Sequence, residues 1–84
     1  MVWTVIWSKK SVKQLKKLGK NIARRIRDRV LEITDDPYKA TKRLVNKELY
    51  SLRVGDYRVI MDLKREQLII FVVSASHRKE SYDF

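Results

Sequence analysis

The chain has 84 residues, of which 44% are hydrophobic, and a formal net charge of +10. This size and composition predict one folded domain over residues 1–84 and argue against a disordered chain. The absence of cysteine excludes disulfides and thiolate metal sites, and a single histidine argues against a zinc site built from protein ligands. The charge predicts polyanionic partners, namely nucleic acid, an acidic protein or an anionic membrane surface.

No segment of the sequence is typical of a membrane span or a secretory signal. The longest apolar run, residues 68–73, is too short to cross a bilayer. The N-terminus lacks the basic lead, apolar core and small-residue cleavage site of a signal peptide. We therefore expect a cytoplasmic protein.

The first part of the chain predicts a strand and two helices. Residues 2–7 are β-branched and aromatic, and both faces of this segment are mostly apolar, which predicts a strand covered on two sides. Ser8 is the expected N-cap of a helix that ends at Gly19, and Asn21 is the expected N-cap of a second helix that ends before Pro37. The short connection predicts an antiparallel helical hairpin. The apolar positions of the two helices are Val12, Leu15, Leu18, Ile22, Ala23, Ile26, Val30 and Ile33.

These two helices are strongly basic. Residues 1–34 hold ten of the twenty Lys and Arg residues of the chain and only two acidic residues. Any single one of these cations is best interpreted as a solvated side chain, because isolated surface charges contribute little. Together they produce a field that steers the protein towards a polyanion.

A β-hairpin is predicted for residues 49–63. Apolar and polar side chains alternate on both sides of Gly55-Asp56, and a glycine-containing pair between two alternating runs favours a two-residue turn. Such a turn places Arg53 opposite Arg58 on the face away from the core. Like charges opposed across two strands are destabilising, so an anion is a candidate ligand there; the alternative is that both arginines are solvated or paired with carboxylates. The expected core face is Tyr50, Leu52, Val54, Tyr57, Val59 and Met61.

The segments around the hairpin complete the predicted fold. Residues 38–48 are expected to form a loop that Leu44 and Val45 hold against the core. Residues 68–74 are almost continuously apolar, as in a central strand buried on both faces. The prediction is a two-layer α+β domain in which an N-terminal strand and a helical hairpin precede a three-stranded antiparallel meander, with the helices on one face of a single sheet.

Two segments carry a resemblance to a known family. LYSLRVGDYRVIMDL (residues 49–63) and LIIFVVSASHRKESY (residues 68–82) resemble the RelE/ParE superfamily of bacterial and archaeal toxins, with the archaeal RelE branch closest. The resemblance implies the toxin of a type II toxin–antitoxin system, acting as a ribosome-dependent, metal-independent endoribonuclease that cleaves mRNA in the A site. The implied partners are the ribosome, mRNA and an acidic, helical RelB-like antitoxin, and the resemblance implies no membrane partner, no metal and no cofactor. Two alternatives stay open: a ParE-like inhibitor of DNA gyrase with the same fold, and a non-catalytic basic module that binds nucleic acid.

The resemblance also implies which residues act. The expected catalytic residues are Arg53, Arg58, Arg78, Tyr82 and His77, and the expected RNA- or ribosome-binding residues are Lys47, Lys79, Arg24, Arg25 and Lys13. The arginines would stabilise the negative charge that develops on a phosphate, because guanidinium groups are permanently charged and bind phosphate with two donors.

Proton transfer is expected from the remaining groups. His77 is suited to it because imidazole changes charge near neutral pH, and Tyr82 would either stack on a base or relay a proton. RelE-type toxins often have lysines where this chain has Leu49 and Ser51. Lys47 or Lys79 is therefore the alternative source of a general base.

Overall fold

The predicted order of one strand, two helices and a meander is confirmed by a computed structural model, which describes residues 2–45 and 48–80 apart from the side chain of Glu80. The elements are β1 (Thr4–Trp7), α1 (Lys9–Leu18), α2 (Lys20–Glu32), α3 (Pro37–Ala40), β2 (Lys42–Arg43), β3 (Tyr50–Val54), β4 (Tyr57–Lys64) and β5 (Ile69–His77). Single 3₁₀ turns follow β4 and β5, at Arg65–Gln67 and Arg78–Glu80. In the described ranges, no helix has the length and apolar character needed to cross a membrane.

One mixed sheet contains the five strands of the described residues, in the order β1-β5-β4-β3-β2. The meander from β3 to β5 is antiparallel, as predicted, whereas β1 lies parallel to β5 at the edge of the sheet. The segment predicted as a loop instead contains α3 and the two-residue β2, because Pro37 suits the first turn of a helix and residues 42–43 pair with β3. Leu44 is half-buried as expected, but Val45 is 85% exposed, so the prediction that it packs on the core is wrong.

The connection between α1 and α2 is a single residue. Ser8 caps α1 as predicted, since its Oγ accepts a hydrogen bond of 3.0 Å from the Ser11 N–H. The predicted cap of α2 is wrong: α2 begins at Lys20, with Gly19 rather than Asn21 at the N-cap. Gly19 has a φ of 92°, a region that only glycine enters without steric penalty, and this lets one residue separate the two helices.

The core lies between the helices and one face of the sheet. The hairpin supplies Leu52, Val54, Val59 and Met61 to it, with Tyr50 and Tyr57 packed at its margin, as predicted. The helices supply Leu15, Ala23, Ile26 and Val30, and Ile33 just after α2 and Trp3 just before β1 complete it. One sequence-based expectation fails because the helices cover only this face. On the opposite face Ile6 is 42% exposed, and so β1 is covered on one side rather than two.

The central strand β5 differs from its prediction in two ways. Its alternate residues Ile69, Phe71 and Val73 are only half-buried, so β5 is not buried on both faces. It also contains a β-bulge, because Ile60 pairs with Ser74 while Met61 pairs with Val72, which leaves Val73 as an extra residue. Helix α1 satisfies the backbone there. Ser8 Oγ donates to the Val73 carbonyl at 2.8 Å, and the Ala75 N–H donates to Gln14 Oε1 at 2.8 Å.

Candidate active site

The β3–β4 turn sets the position of two of the predicted site residues. The strand register pairs Val54 with Tyr57 and Arg53 with Arg58, so the two-residue turn at Gly55-Asp56 is the one expected from the sequence. Gly55 has a φ of 59°, the left-handed conformation that such a turn requires. Since Val54 and Tyr57 face the core, the two arginines lie side by side on the opposite face of the sheet.

The third predicted arginine is tied to the same turn from the end of β5. The backbone N–H of Arg78 donates to the Asp56 carbonyl at 2.9 Å. From the other side, Arg53 Nε donates to the Gly55 carbonyl at 3.3 Å. Arg53 is exposed, whereas Arg58 and Arg78 are half-buried. The structure thus brings Arg78, which follows a different strand, to the turn that carries Arg53 and Arg58.

A fourth arginine reaches the turn from helix α2. The guanidinium of Arg25 lies over Gly55, and a Cβ at Gly55 would be 2.8 Å from Arg25 Nη2. A groove of about 380 Å³ between α2 and the hairpin is lined by Arg25, Arg29 and Arg53, with Asp28 among its acidic residues. Arg29 was not predicted from the sequence. Its position four residues after Arg25, on the same side of a helix, is the signal that would have found it.

The predicted histidine lies elsewhere. His77 is the cross-strand partner of Tyr57, and their rings meet edge to face with centroids 5.6 Å apart. Because Tyr57 faces the core, His77 lies on the opposite face of the sheet from Arg58, whose partner on β5 is Ser76. His77 Nδ1 accepts a hydrogen bond of 3.3 Å from the Lys79 N–H. The structure therefore does not bring His77 together with the arginine pair.

The other predicted residues are dispersed. Lys79 is exposed beside Arg78, and Lys13 and Arg24 are exposed on the helices. Lys47 and Tyr82 lie outside the described residues. Within residues 2–45 and 48–80 no group of three His, Asp or Glu residues is arranged to hold a metal ion.

The arrangement at the turn suits a phosphate group. The face that carries Arg53 and Arg58 also carries Ser76, which has a hydroxyl group. Asp62 lies on this face too, and its carboxylate pairs with Lys64 Nζ at 3.3 Å. Permanently charged, planar donors fixed on neighbouring strands can bind phosphate oxygens with two donors each. The described face therefore carries the type of donor that binds phosphate and stabilises added negative charge.

Comparison with known proteins agrees with this fold. The sequence profile of the family described as "ParE toxin of type II toxin-antitoxin system, parDE" matches residues 5–82. No curated protein sequence matches the chain.

Solved structures of RelE toxins are similar to this chain over most of its length. The RelBE2 toxin–antitoxin complex of Mycobacterium tuberculosis matches with a TM-score of 0.85 at 21% identity, covering 93% of this chain and 100% of the matched chain. A mutant of the Escherichia coli toxin RelE in the free state matches with a TM-score of 0.78 at 21% identity, over 96% of this chain and 88% of that one. The archaeal RelE–RelB complex of Pyrococcus horikoshii matches with a TM-score of 0.76 at 25% identity, over 96% and 100%. The predicted resemblance is thereby confirmed, and the chain belongs to the ParE toxin family of type II toxin–antitoxin systems, within the RelE/ParE superfamily.

Proposed function

We propose that this toxin is a ribosome-dependent endoribonuclease that cleaves mRNA in the A site. The observation that carries the proposal is the placement of Arg53 opposite Arg58, with Arg78 tied to the same turn. Opposed guanidinium groups lower the stability of a free hairpin. Their cost is offset where a phosphate binds between them, and a phosphate that gains charge during a reaction benefits most.

The proposed reaction is an internal transfer at the phosphate. The ribose 2′-oxygen attacks the adjacent phosphorus and loses its proton to a base, the bond to the 5′-oxygen breaks, and that oxygen takes up a proton. Arg53, Arg58 and Arg78 would stabilise the charge on the pentacoordinate phosphorus. Lys79, which directly follows Arg78, is a candidate for proton transfer, as are Lys47 and Tyr82. His77 is a weaker candidate because it lies on the other face of the sheet.

The proposed partners follow from this role. The toxin would bind the ribosome and mRNA in the cytoplasm, using its basic surface, and would be neutralised by an acidic, helical RelB-like antitoxin. The similar structures from M. tuberculosis and P. horikoshii are complexes of toxin and antitoxin, which supports an antitoxin partner here. The net charge of +10 favours an acidic partner.

A second candidate function is inhibition of DNA gyrase. It is favoured by one observation, the match of the ParE toxin profile to residues 5–82. The arginine cluster weighs against it, because an inhibitor that acts by binding a protein does not need Arg53, Arg58 and Arg78 at one turn. The two functions are separated by direct assay.

The first experiment is toeprinting of a defined mRNA on programmed ribosomes with the wild-type toxin and Arg58→Ala. We expect a new cut in the A-site codon, reduced about 10²–10³-fold in rate in Arg58→Ala, as is typical when one preorganised donor to a transition state is lost. The matched control is Arg65→Ala. It removes the same charge at the opposite end of β4, where the Arg65 guanidinium lies 5.6 Å from the centre of the Tyr38 ring. Its cleavage rate should stay near that of the wild type.

Other outcomes lead to other functions. Equal losses in the Arg58→Ala and Arg65→Ala variants would mean that net charge alone matters, as for a non-catalytic basic module. An absence of cleavage with active ribosomes, together with inhibition of supercoiling by purified gyrase, would replace the nuclease proposal by the gyrase one.

A further inference from the structure

The 3₁₀ turn that follows β5 begins directly after a histidine. It consists of Arg78–Glu80, and the residue before it is His77. The first N–H groups of a helical turn have no carbonyl partner within the turn, so the side chain of the preceding residue often accepts from one of them. Here His77 Nδ1 accepts the hydrogen bond of 3.3 Å from the N–H of Lys79, the second residue of the turn. His77 is therefore the N-cap of this turn.

Two hydrogen bonds to different parts of the molecule fix the start of the turn. The N–H of Arg78 donates to the Asp56 carbonyl at 2.9 Å, and the N–H of Lys79 donates to the histidine cap. The first bond ties the turn to the hairpin that carries the arginine pair. Because the backbone is held at two successive residues, the two bonds together set the direction in which the Arg78 and Lys79 side chains leave it.

The imidazole that provides the cap is itself held in place. His77 is half-buried, and its ring meets the ring of its cross-strand partner Tyr57 edge to face, with centroids 5.6 Å apart. This contact restricts rotation of the side chain, so the hydrogen bond from Lys79 costs less conformational entropy than it would at a free side chain. The imidazole lies on the opposite face of the sheet from Arg58. His77 therefore acts on the arginine site through the backbone of the turn.

A histidine cap differs from the usual serine, threonine, asparagine and aspartate caps, because protonation near neutral pH removes its acceptor. Neutral imidazole has one acceptor nitrogen, whereas imidazolium has two donors and no acceptor. In the described ranges, the charged and titratable groups on the elements around His77 are Tyr57 of β4, Asp56 of the β3–β4 turn, Arg78 and Lys79 of the 3₁₀ turn, and Lys10 and Lys17, which lie on the same side of α1 as Gln14. Most of these groups are cations, so an imidazolium finds few partners among them to replace the lost hydrogen bond.

We propose that His77 is a pH-sensitive cap that positions the Arg78–Glu80 turn. Neutral His77 holds the turn against the hairpin, and protonated His77 releases the N–H of Lys79 and loosens the turn. The consequence for cleavage rests on the proposed nuclease function, in which Arg78 stabilises the charge on the phosphate and Lys79 is a candidate for proton transfer. Since stabilisation of a transition state depends on the placement of the donor, loss of the cap lowers kcat more than it raises KM.

Two substitutions separate the acceptor of His77 from its ring. His77→Phe keeps a ring against Tyr57 but has no acceptor, and His77→Asn loses the ring but offers a side-chain oxygen close to the position of Nδ1. In the free toxin at about pH 7.5, NMR saturation transfer from water should show the Lys79 amide exchanging about threefold faster in His77→Phe than in the wild type. Exchange in His77→Asn should stay near the wild-type rate, and the amides of β4 are the internal control.

The same variants are compared for cleavage of mRNA on programmed ribosomes. At about pH 7.5 we expect kcat to fall about tenfold in His77→Phe, with KM changed less than about twofold, and to stay within about threefold of the wild type in His77→Asn. Lowering the pH to about 5.5 should decrease the ratio of the wild-type rate to the His77→Asn rate about fivefold, because only the wild type loses its cap. This ratio cancels the effect of pH on the ribosome itself.

The proposal is overturned if exchange at the Lys79 amide is unchanged in His77→Phe, or if the ratio of rates does not change with pH. It is also overturned if His77→Asn loses as much activity as His77→Phe, which would assign His77 to ring packing or to direct proton transfer. Hydrogen exchange needs no ribosome. A failure of the toeprinting experiment therefore removes the nuclease proposal, while exchange at Lys79 still decides whether the cap exists. Unchanged exchange together with cleavage in the A site removes the cap alone.

Discussion

The two faces of the sheet differ in what their side chains do. The face under the helices holds Leu52, Val59 and Met61, which are almost completely buried. The other face holds Arg53 and Arg58 opposite each other. Burial on the first face stabilises the fold. Like charges opposed across two strands, as on the second face, add no such stability. We therefore expect stability and activity to respond to separate substitutions within the same two strands.

The largest expected effect on stability comes from the helical face. Leu52→Ala removes a side chain that is 1% exposed, and we expect the free energy of unfolding to fall by about 2–5 kcal/mol. The matched control is Leu31→Ala on α2, where the leucine is 59% exposed and the loss should be below about 0.5 kcal/mol. Urea unfolding followed by circular dichroism measures both. Equal losses at the two positions would refute the assignment of Leu52 to the core.

A smaller loss is expected where α1 holds the β5 bulge. Gln14→Ala removes the acceptor of the Ala75 N–H, and Ala75 is fully buried, so we expect a loss of about 1–3 kcal/mol. Gln14→Glu keeps an acceptor oxygen and should retain most of the stability. Hydrogen exchange at the Ala75 amide should accelerate in Gln14→Ala alone. Unchanged exchange would mean that this hydrogen bond does not hold the bulge.

The β5 bulge also shows which features of the fold and the site could be predicted from the sequence and which could not. The β3–β4 hairpin, including the pairing of Arg53 with Arg58, was predictable residue by residue because alternation and turn chemistry are local. The partner of Gln14 lies 61 residues away in sequence, and no local pattern predicts it. Counting alternate residues from Ile70 and Val72 places His77 on the arginine face. The extra residue Val73 reverses that alternation, and this is why a grouping of His77 with the arginines fails.

The close approach of Arg25 to the β3–β4 turn can be tested by substitution at Gly55. Gly55→Ala puts a side chain at a φ of 59° and 2.8 Å from Arg25 Nη2, and we expect a loss of about 1–2 kcal/mol. Gly19→Ala is the matched control, since its φ is also positive but its Cβ would lie in open space. In an Arg25→Ala background the cost of Gly55→Ala should decrease, whereas the cost of Gly19→Ala should not. Unfolding in urea provides all of these values.

The smallest expected change in stability is the most informative about the face of the sheet that carries Arg53 and Arg58. Arg53→Glu replaces the opposed arginines by an opposite-charge pair, and we expect the free energy of unfolding to rise by about 0.2–1 kcal/mol while cleavage of mRNA falls. Arg53→Gln removes the repulsion without adding an attraction, so its free energy of unfolding should lie between those of the wild type and Arg53→Glu. The differences should shrink in about 1 M salt, because exposed charges are screened there.

A stability loss in both variants would mean that the hydrogen bond from Arg53 Nε to the Gly55 carbonyl outweighs the repulsion. A stability gain with full cleavage would remove Arg53 from the active site. The expected combination, a more stable and less active toxin, would support the proposal that Arg53 lies opposite Arg58 for the sake of phosphate binding rather than for stability.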